Sequence, residues 1–212
     1  MRTKTKALAL ALCAVLLVVS TVFVTMAFLT DRDSVQYTFT FGQVGISLDE
    51  ADVDANGEIE AGENRESTAG RVHANEYHLI PGHNYVKDPT IHVDDGSENC
   101  LLFVKLENGL KDIIASKTIE EQMQGYGWTL IDSTNNIWAY NKVVAENEHL
   151  EVFDEFTLTD NADVSNYGDA TIIVTAYAVQ ADGFIANTTA GTTVSTDDAT
   201  ATWTATANSF GN

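Results

Sequence analysis

Proline and cysteine are nearly missing from this 212-residue chain, at two residues each, and positive charge is scarce: 11 lysines and arginines stand against 31 aspartates and glutamates. Pro81 and Pro89 both sit beside turn residues, so no proline interrupts a strand-like run. Cys13 lies in the N-terminal apolar run, leaving Cys100 alone in the rest of the chain, and an internal disulfide there is excluded. Leu12 stands where a lipoprotein signal needs a small residue, so Cys13 is no lipid anchor. The lack of basic residues excludes nucleic acid as a partner and disfavours anionic membrane surfaces. Internal repeats, coiled-coil heptads and low-complexity linkers are absent, as are a nucleophile elbow, a phosphate loop and paired catalytic carboxylates.

The N-terminus is the most informative segment that is present. Arg2, Lys4 and Lys6 form a positive n-region, and an apolar run follows from Ala7 through Phe28. Thr25-Met26-Ala27 then offers the small residues a signal peptidase needs, just before Asp31, Arg32 and Asp33. Residues 1–27 therefore read as a secretory signal cut between Ala27 and Phe28. The run is long enough to span a bilayer, so an uncleaved anchor is the alternative; both place the remainder outside the cytoplasm. Cleavage removes three basic and no acidic residues, leaving a formal charge of about −23. About 185 residues remain, enough for one domain with a full core.

Most of that remainder reads as strands. Tyr37-Thr38-Phe39-Thr40-Phe41 alternates rings with hydroxyls, and Val44, Ile46 and Leu48 alternate again after Gly42. Further strands are expected over Arg71–Ile80, Tyr85–Val93, Cys100–Glu107, Trp128–Ile131, Ile137–Tyr140 and Val152–Leu158. Pro81-Gly82 and Asp94-Asp95-Gly96-Ser97 supply turns between them. Ala170–Val179 is the longest apolar run and is expected to be a central strand buried on both faces. One helix is expected, opened by a capping box of Thr118 and Glu121 and stopped by Gly125 and Gly127. The Thr- and Ala-rich segment 187–212, with Trp203 its only large anchor, reads as an extended strand or a loosely held terminus. The fold class is thus all-β: an antiparallel β-sandwich of jelly-roll or Greek-key type over 28–186, with one short helix and the N-terminal signal helix before it.

Two constellations invite chemistry. Asp52-Val-Asp54-Ala-Asn56-Gly57-Glu58-Ile59-Glu60-Ala-Gly-Glu63 matches the calcium-loop pattern at every constrained position. Asp52, Asp54, Asn56, Glu60 and Glu63 would offer side-chain oxygens and Glu58 its carbonyl. The flanks read as strand and loop rather than as the helices of an EF-hand, so an acidic turn that imitates the motif is the alternative. The histidines at 73, 78, 83 and 92 are close in sequence, but they match neither H-E-x-x-H nor H-x-x-E-H, and ordinary strand histidines are expected. Asn187-Thr188-Thr189 fits a glycosylation sequon. Cys100 reads as a core thiol, and Trp128, Trp138, Tyr140 and Trp203 as core or rim.

Three stretches carry a family resemblance. They are Met26–Asp31 with Thr38–Val44, then Leu79-Ile80-Pro81-Gly82-His83-Asn84-Tyr85-Val86-Lys87-Asp88-Pro89-Thr90-Ile91-His92-Val93, and Val174–Phe184. Together they resemble the TasA/camelysin family, secreted proteins of Gram-positive bacteria whose signals are cut by a SipW-type signal peptidase. The resemblance implies a jelly-roll domain, export to the cell surface or extracellular matrix, and a structural role in biofilm fibres. It also implies assembly in which the N-terminal strand of one subunit completes the sheet of the next. Ser34–Phe41, with Tyr37, Phe39 and Phe41 on one face, suits that donated strand; the alternative is an ordinary first strand of its own sheet.

The expectation is therefore a secreted, non-enzymatic structural protein. Its partners would be the signal peptidase during export, then copies of itself or other matrix or cell-wall proteins, with calcium the only candidate cofactor. A camelysin-like surface metalloendopeptidase and a calcium-stabilised adhesive or binding module are the alternatives; no zinc-protease ligand pattern is recognisable.

Overall fold

The computed structural model describes residues 43–59, 70–115 and 117–210. The signal segment, the cleavage pair Ala27 and Phe28, and Tyr37, Phe39 and Phe41 lie outside the described residues. Ten strands and two helices follow in order. They are β1 (Ile46–Ala51), β2 (Arg71–Val72), β3 (Asn84–Val86), β4 (Thr90–Val93), β5 (Cys100–Asn108), α1 (Ile119–Gly125), β6 (Trp128–Asp132), β7 (Ile137–Tyr140), β8 (His149–Glu151), β9 (Glu155–Thr157), β10 (Ile172–Gln180) and α2 (Thr196–Thr206). All pairings among them are antiparallel, in sheets ordered β2-β1-β4-β8, β10-β5-β7-β6 and β3-β9. The protein is mostly antiparallel β with two short helices, as the sequence pattern anticipates in its main part.

Register follows the alternation of side chains. Ile46 faces Val93, and Leu48 faces Ile91, which faces Leu150, so one side of the first sheet is apolar. The intervening row is polar: Ser47 opposite His92 opposite His149. β5 differs because both of its faces are buried. Cys100, Leu102, Val104 and Leu106 enter a main core with Ile91, Trp128, Trp138, Phe153 and Phe156. Leu101 and Phe103 enter a second cluster with Ile137, Ala139, Val179 and Trp203. The unbroken apolar run Cys100–Val104 is what two-sided burial demands.

That finding corrects one expectation. The run over 170–179 is not the central strand: β10 stands at the edge of its sheet, paired along nine residues with β5 alone among the described residues. Its side chains are mostly half-buried, with Ile173 at 47% exposure. Two other expected strands are broken. Tyr85–Val93 divides at Lys87-Asp88-Pro89 into β3 and β4, which belong to different sheets, because Pro89 offers no N–H to a ladder and Asp88 turns inward. Of Val152–Leu158 only Glu155–Thr157 is a strand, β9, and Val152–Asp154 link it to β8. Of Arg71–Ile80 only Arg71–Val72 pairs as a strand.

The helices show what local chemistry can and cannot announce. Thr118 accepts the Glu121 N–H and Glu121 returns a bond to the Thr118 N–H, the reciprocal cap expected for α1. The C-terminal segment, expected to be extended or loose, is instead helical as α2. Ser195 Oγ donates to Asp198 Oδ2 while the Asp198 N–H donates to Ser195 Oγ. Four threonines, Thr200, Thr202, Thr204 and Thr206, turn their hydroxyls onto carbonyls one turn earlier. Ala199 and Trp203, four apart and so on one face, bury against the second cluster.

Candidate functional site

A groove of about 920 Å³ opens between β1, the segment 73–79 and the start of β10. Apolar walls come from Leu48, Tyr77, Leu79, Phe156, Tyr167, Ile172 and Val174, and a polar end from Glu50, Asn75 and Lys87. The segment 73–79 has no strand ladder and is tied by one main-chain bond, from the His78 N–H to the Ala55 carbonyl, and by side chains. Tyr77 Oη donates to the Val86 carbonyl at 3.1 Å, and its ring meets those of Tyr85 and Phe156 edge-on at 5.6 Å. Tyr85 Oη donates to the His78 carbonyl and accepts the Ile80 N–H. Burial, with the nearby charges of Glu50 and Asp88, pushes the Tyr77 phenol far above its ordinary value.

Behind the polar end lies a buried set of charges. Arg71 spends its guanidinium on Asp49 Oδ1, Asp88 Oδ2, the Asp88 carbonyl and Thr90 Oγ1. Asp88, 1% exposed, also accepts the Ala51 N–H at 2.7 Å. Burial raises the Asp49 carboxyl, but bonds from Arg71 and His92 outweigh it and hold the group below the ordinary carboxylate range. Asp49 and Asp88 raise Arg71 against the pull of its own burial. Lys87 Nζ and Glu50 Oε2 meet at 2.5 Å, with Glu50 4% and Lys87 9% exposed. Asn75 Nδ2 donates to Glu50 Oε1 at 3.0 Å and to the Ala51 carbonyl at 2.9 Å, while Asn75 Oδ1 accepts the Val53 N–H at 3.1 Å.

The histidines do not gather. His73 Nδ1 contacts the Leu48 carbonyl, and His83 Nε2 the Asn56 carbonyl. His92 Nε2 reaches Asp49 Oδ1 at 2.8 Å, and its Nδ1 lies 2.6 Å from His149 Nδ1 on the neighbouring strand. Among the described residues no group of three His, Cys, Asp or Glu side chains is placed to hold a metal ion.

The acidic loop is a hairpin turn in its described part. Val53 and Ile59 bridge, and Asp54 Oδ1 accepts the N–H groups of Asn56 and Glu58. Those backbone bonds, Glu58 first, hold the Asp54 carboxyl below its usual value. Gly57 takes φ +73° and lies against Tyr85. Asp52 is exposed, and Glu60 and Glu63 lie outside the described residues. Asn187 is exposed, with Oδ1 accepting the Thr189 N–H.

The charged set at the groove escapes a motif search because its members come from three separate stretches. One signal was available: in a chain so short of lysine, Lys87-Asp88 sits between Val86 and Pro89 in an otherwise apolar stretch, and Asp49-Glu50 ends an apolar alternation. Charges in such places are buried only with partners. No helix among the described residues is long and apolar enough to cross a membrane. No family model matches the chain, and neither a curated protein nor a solved structure is detectably similar to it.

Proposed function

We propose that the chain is a secreted, non-catalytic structural protein of the cell surface or matrix, built as a jelly-roll sandwich and assembling by strand addition. One observation carries the reading: β10 is a nine-residue edge strand without charge or proline, open on one side among the described residues. Exposed edges that long and that apolar are ordinarily blunted by lysine, proline or a bulge, because they recruit any free strand. Here the edge adjoins a groove with apolar walls. Across that groove, Ile46–Asp49 of β1 pair only with β4 among the described residues. An incoming strand would gain main-chain bonds from an edge and side-chain pockets from the groove.

The alternating rings of Tyr37, Phe39 and Phe41 suit such a strand, and the resemblance to the TasA/camelysin family supports a donor from a second copy. Electron microscopy and sedimentation of the mature protein test the reading. Filaments are expected for residues 28–212, and a soluble non-polymerising domain for residues 42–212. Filament growth by the shortened form refutes strand donation, and monomers under all salt and calcium conditions refute assembly.

A further inference from the structure

The polar end of the groove holds an amine, a primary amide and a carboxylate in one connected set. Glu50 spans the other two: one oxygen meets Lys87 Nζ at 2.5 Å and the other accepts from Asn75 Nδ2 at 3.0 Å. The Asn75 carbonyl is polarised by the Val53 N–H at 3.1 Å, a donor placed where negative charge would develop on Oδ1. Tyr77 covers the site, its ring centroid 5.8 Å from Lys87 Nζ. Glu50 and Lys87 are 4% and 9% exposed, and Asn75 is half-buried at the groove. Asn75 supplies the donor that the second buried oxygen of Glu50 needs, and so brings the amide to the same carboxylate as the amine. Nucleophile, electrophile, proton carrier and oxyanion donor are all present.

From this geometry we propose that Lys87 and Asn75 join in an intramolecular isopeptide bond, with Glu50 as the catalytic proton carrier. Glu50 Oε2 takes a proton from the Lys87 ammonium, and the freed Nζ lone pair attacks Asn75 Cγ. The C–N bond forms as the carbonyl electrons move onto Oδ1, where the Val53 N–H holds them. Glu50 passes its proton to Nδ2, the electrons on Oδ1 return, and the Cγ–Nδ2 bond breaks to release ammonia. The second proton of Nζ leaves through Glu50 to that ammonia. The sum is one ammonium and one primary amide giving one secondary amide and one ammonium ion, with Glu50 again a carboxylate and nothing oxidised or reduced. Ammonia departs into the groove that Asn75 and Lys87 line.

The bond would fasten the ladder-free segment 73–79 to the end of β3, in a chain whose single core thiol cannot form a disulfide. The inference does not depend on filament assembly. Intact-mass spectrometry of the folded, secreted chain tests it first: a mass about 17 Da below that of the sequence is expected. Succinimide formation at Asn56-Gly57 or Asn108-Gly109 gives the same loss, so peptide mapping decides. Trypsin should fail to cut after Lys87, and chymotrypsin, cutting after Tyr77, should leave fragments containing Asn75 and Lys87 joined. Lys87→Arg, which keeps the pair with Glu50, and Glu50→Gln should both retain full mass and release separate fragments. Cutting after Lys87 in the wild-type protein after prolonged incubation overturns the proposal, and a joined fragment in folded Glu50→Gln overturns the role given to Glu50.

Discussion

Trp203 on α2 lies 5.4 Å from Phe103 on β5 and 5.2 Å from Tyr177 on β10, ring centroid to ring centroid. A helix, rather than another sheet, therefore closes the outer face of the β10-β5-β7-β6 sheet and makes β5 a strand with two buried faces. Trp203→Ala empties the centre of that contact and should cost about 3–5 kcal/mol. Ser195→Ala removes only the cap and should cost about 1 kcal/mol. Urea unfolding checks both: the midpoint should fall further for the first, with the slope unchanged in each. Equal effects would mean that α2 is held by its cap rather than by its tryptophan.

Gly57 marks where the acidic hairpin meets the core. Its φ of +73° is left-handed, and a Cβ there would lie 2.7 Å from Tyr85 Cδ1 and 3.0 Å from Tyr85 Cα. Gly57→Ala combines backbone strain with a clash against a ring stacked on Phe156 at 4.8 Å. A loss of about 2–3 kcal/mol is expected, seen as a lower melting temperature. Glu58→Ala beside it should change little, since the bonds at Glu58 come from its backbone.

How much of this was legible beforehand depends on the range of each interaction. The α1 cap, the Pro81-Gly82 turn and the burial of Cys100 rest on near neighbours in sequence, and all are found: His83 N–H donates to the Ile80 carbonyl, and Gly82 takes φ +74°. The standing of β10 could not be read that way. Composition reports that a strand is apolar, whereas whether both of its edges are paired depends on where β5 and β7 go. For α2 the weak helix propensity of threonine concealed the segment, although Ser195-Thr-Asp-Asp198 and the spacing of Ala199 and Trp203 were there to be seen. The Glu50–Lys87–Asn75 set lay beyond reach for a third reason. Its members, 12 to 37 residues apart, meet only because β1 and the start of β4 are neighbours and Asn75 bonds to the end of β1.

Arg71 and Asp49 make acid stability measurable. The Asp49 carboxyl is raised by burial but lowered more by Arg71 and His92, so its folded value lies below its unfolded one. A depressed carboxyl contributes stability above its unfolded value, about pH 4, and the contribution is lost as pH falls through the folded value. Stability should therefore decline on acidification below about pH 4, and Asp49→Asn should flatten that decline. Arg71→Met acts at neutral pH as well, removing the guanidinium from a carboxylate 1% exposed. A loss of about 3 kcal/mol or more is expected there. Urea unfolding across pH 2–7 would show both effects, and an Asp49→Asn profile parallel to wild type would contradict the first.

Cys100 bears on how copies of the chain can be held together. Its thiol is fully buried, with burial first and the charge of Glu148 second pushing it up to about 12. Only the thiolate attacks disulfides or alkylating agents, so at pH 8 the reactive form is scarce. Access is closed as well, because the Cys100 N–H and carbonyl both pair with Val144 while Gln180 faces it from β10. The folded protein of residues 28–212, which holds Cys100 but not Cys13, should therefore resist an aromatic disulfide reagent at pH 8 and react with one equivalent once unfolded in urea. Its labelling rate should follow global unfolding, since exposure requires separating β5 from its neighbours. Assembled material should run as a monomer on a non-reducing denaturing gel. A dimer band that disappears with reductant, or rapid labelling of folded protein, would show that β5 opens far more readily than its two-sided burial allows.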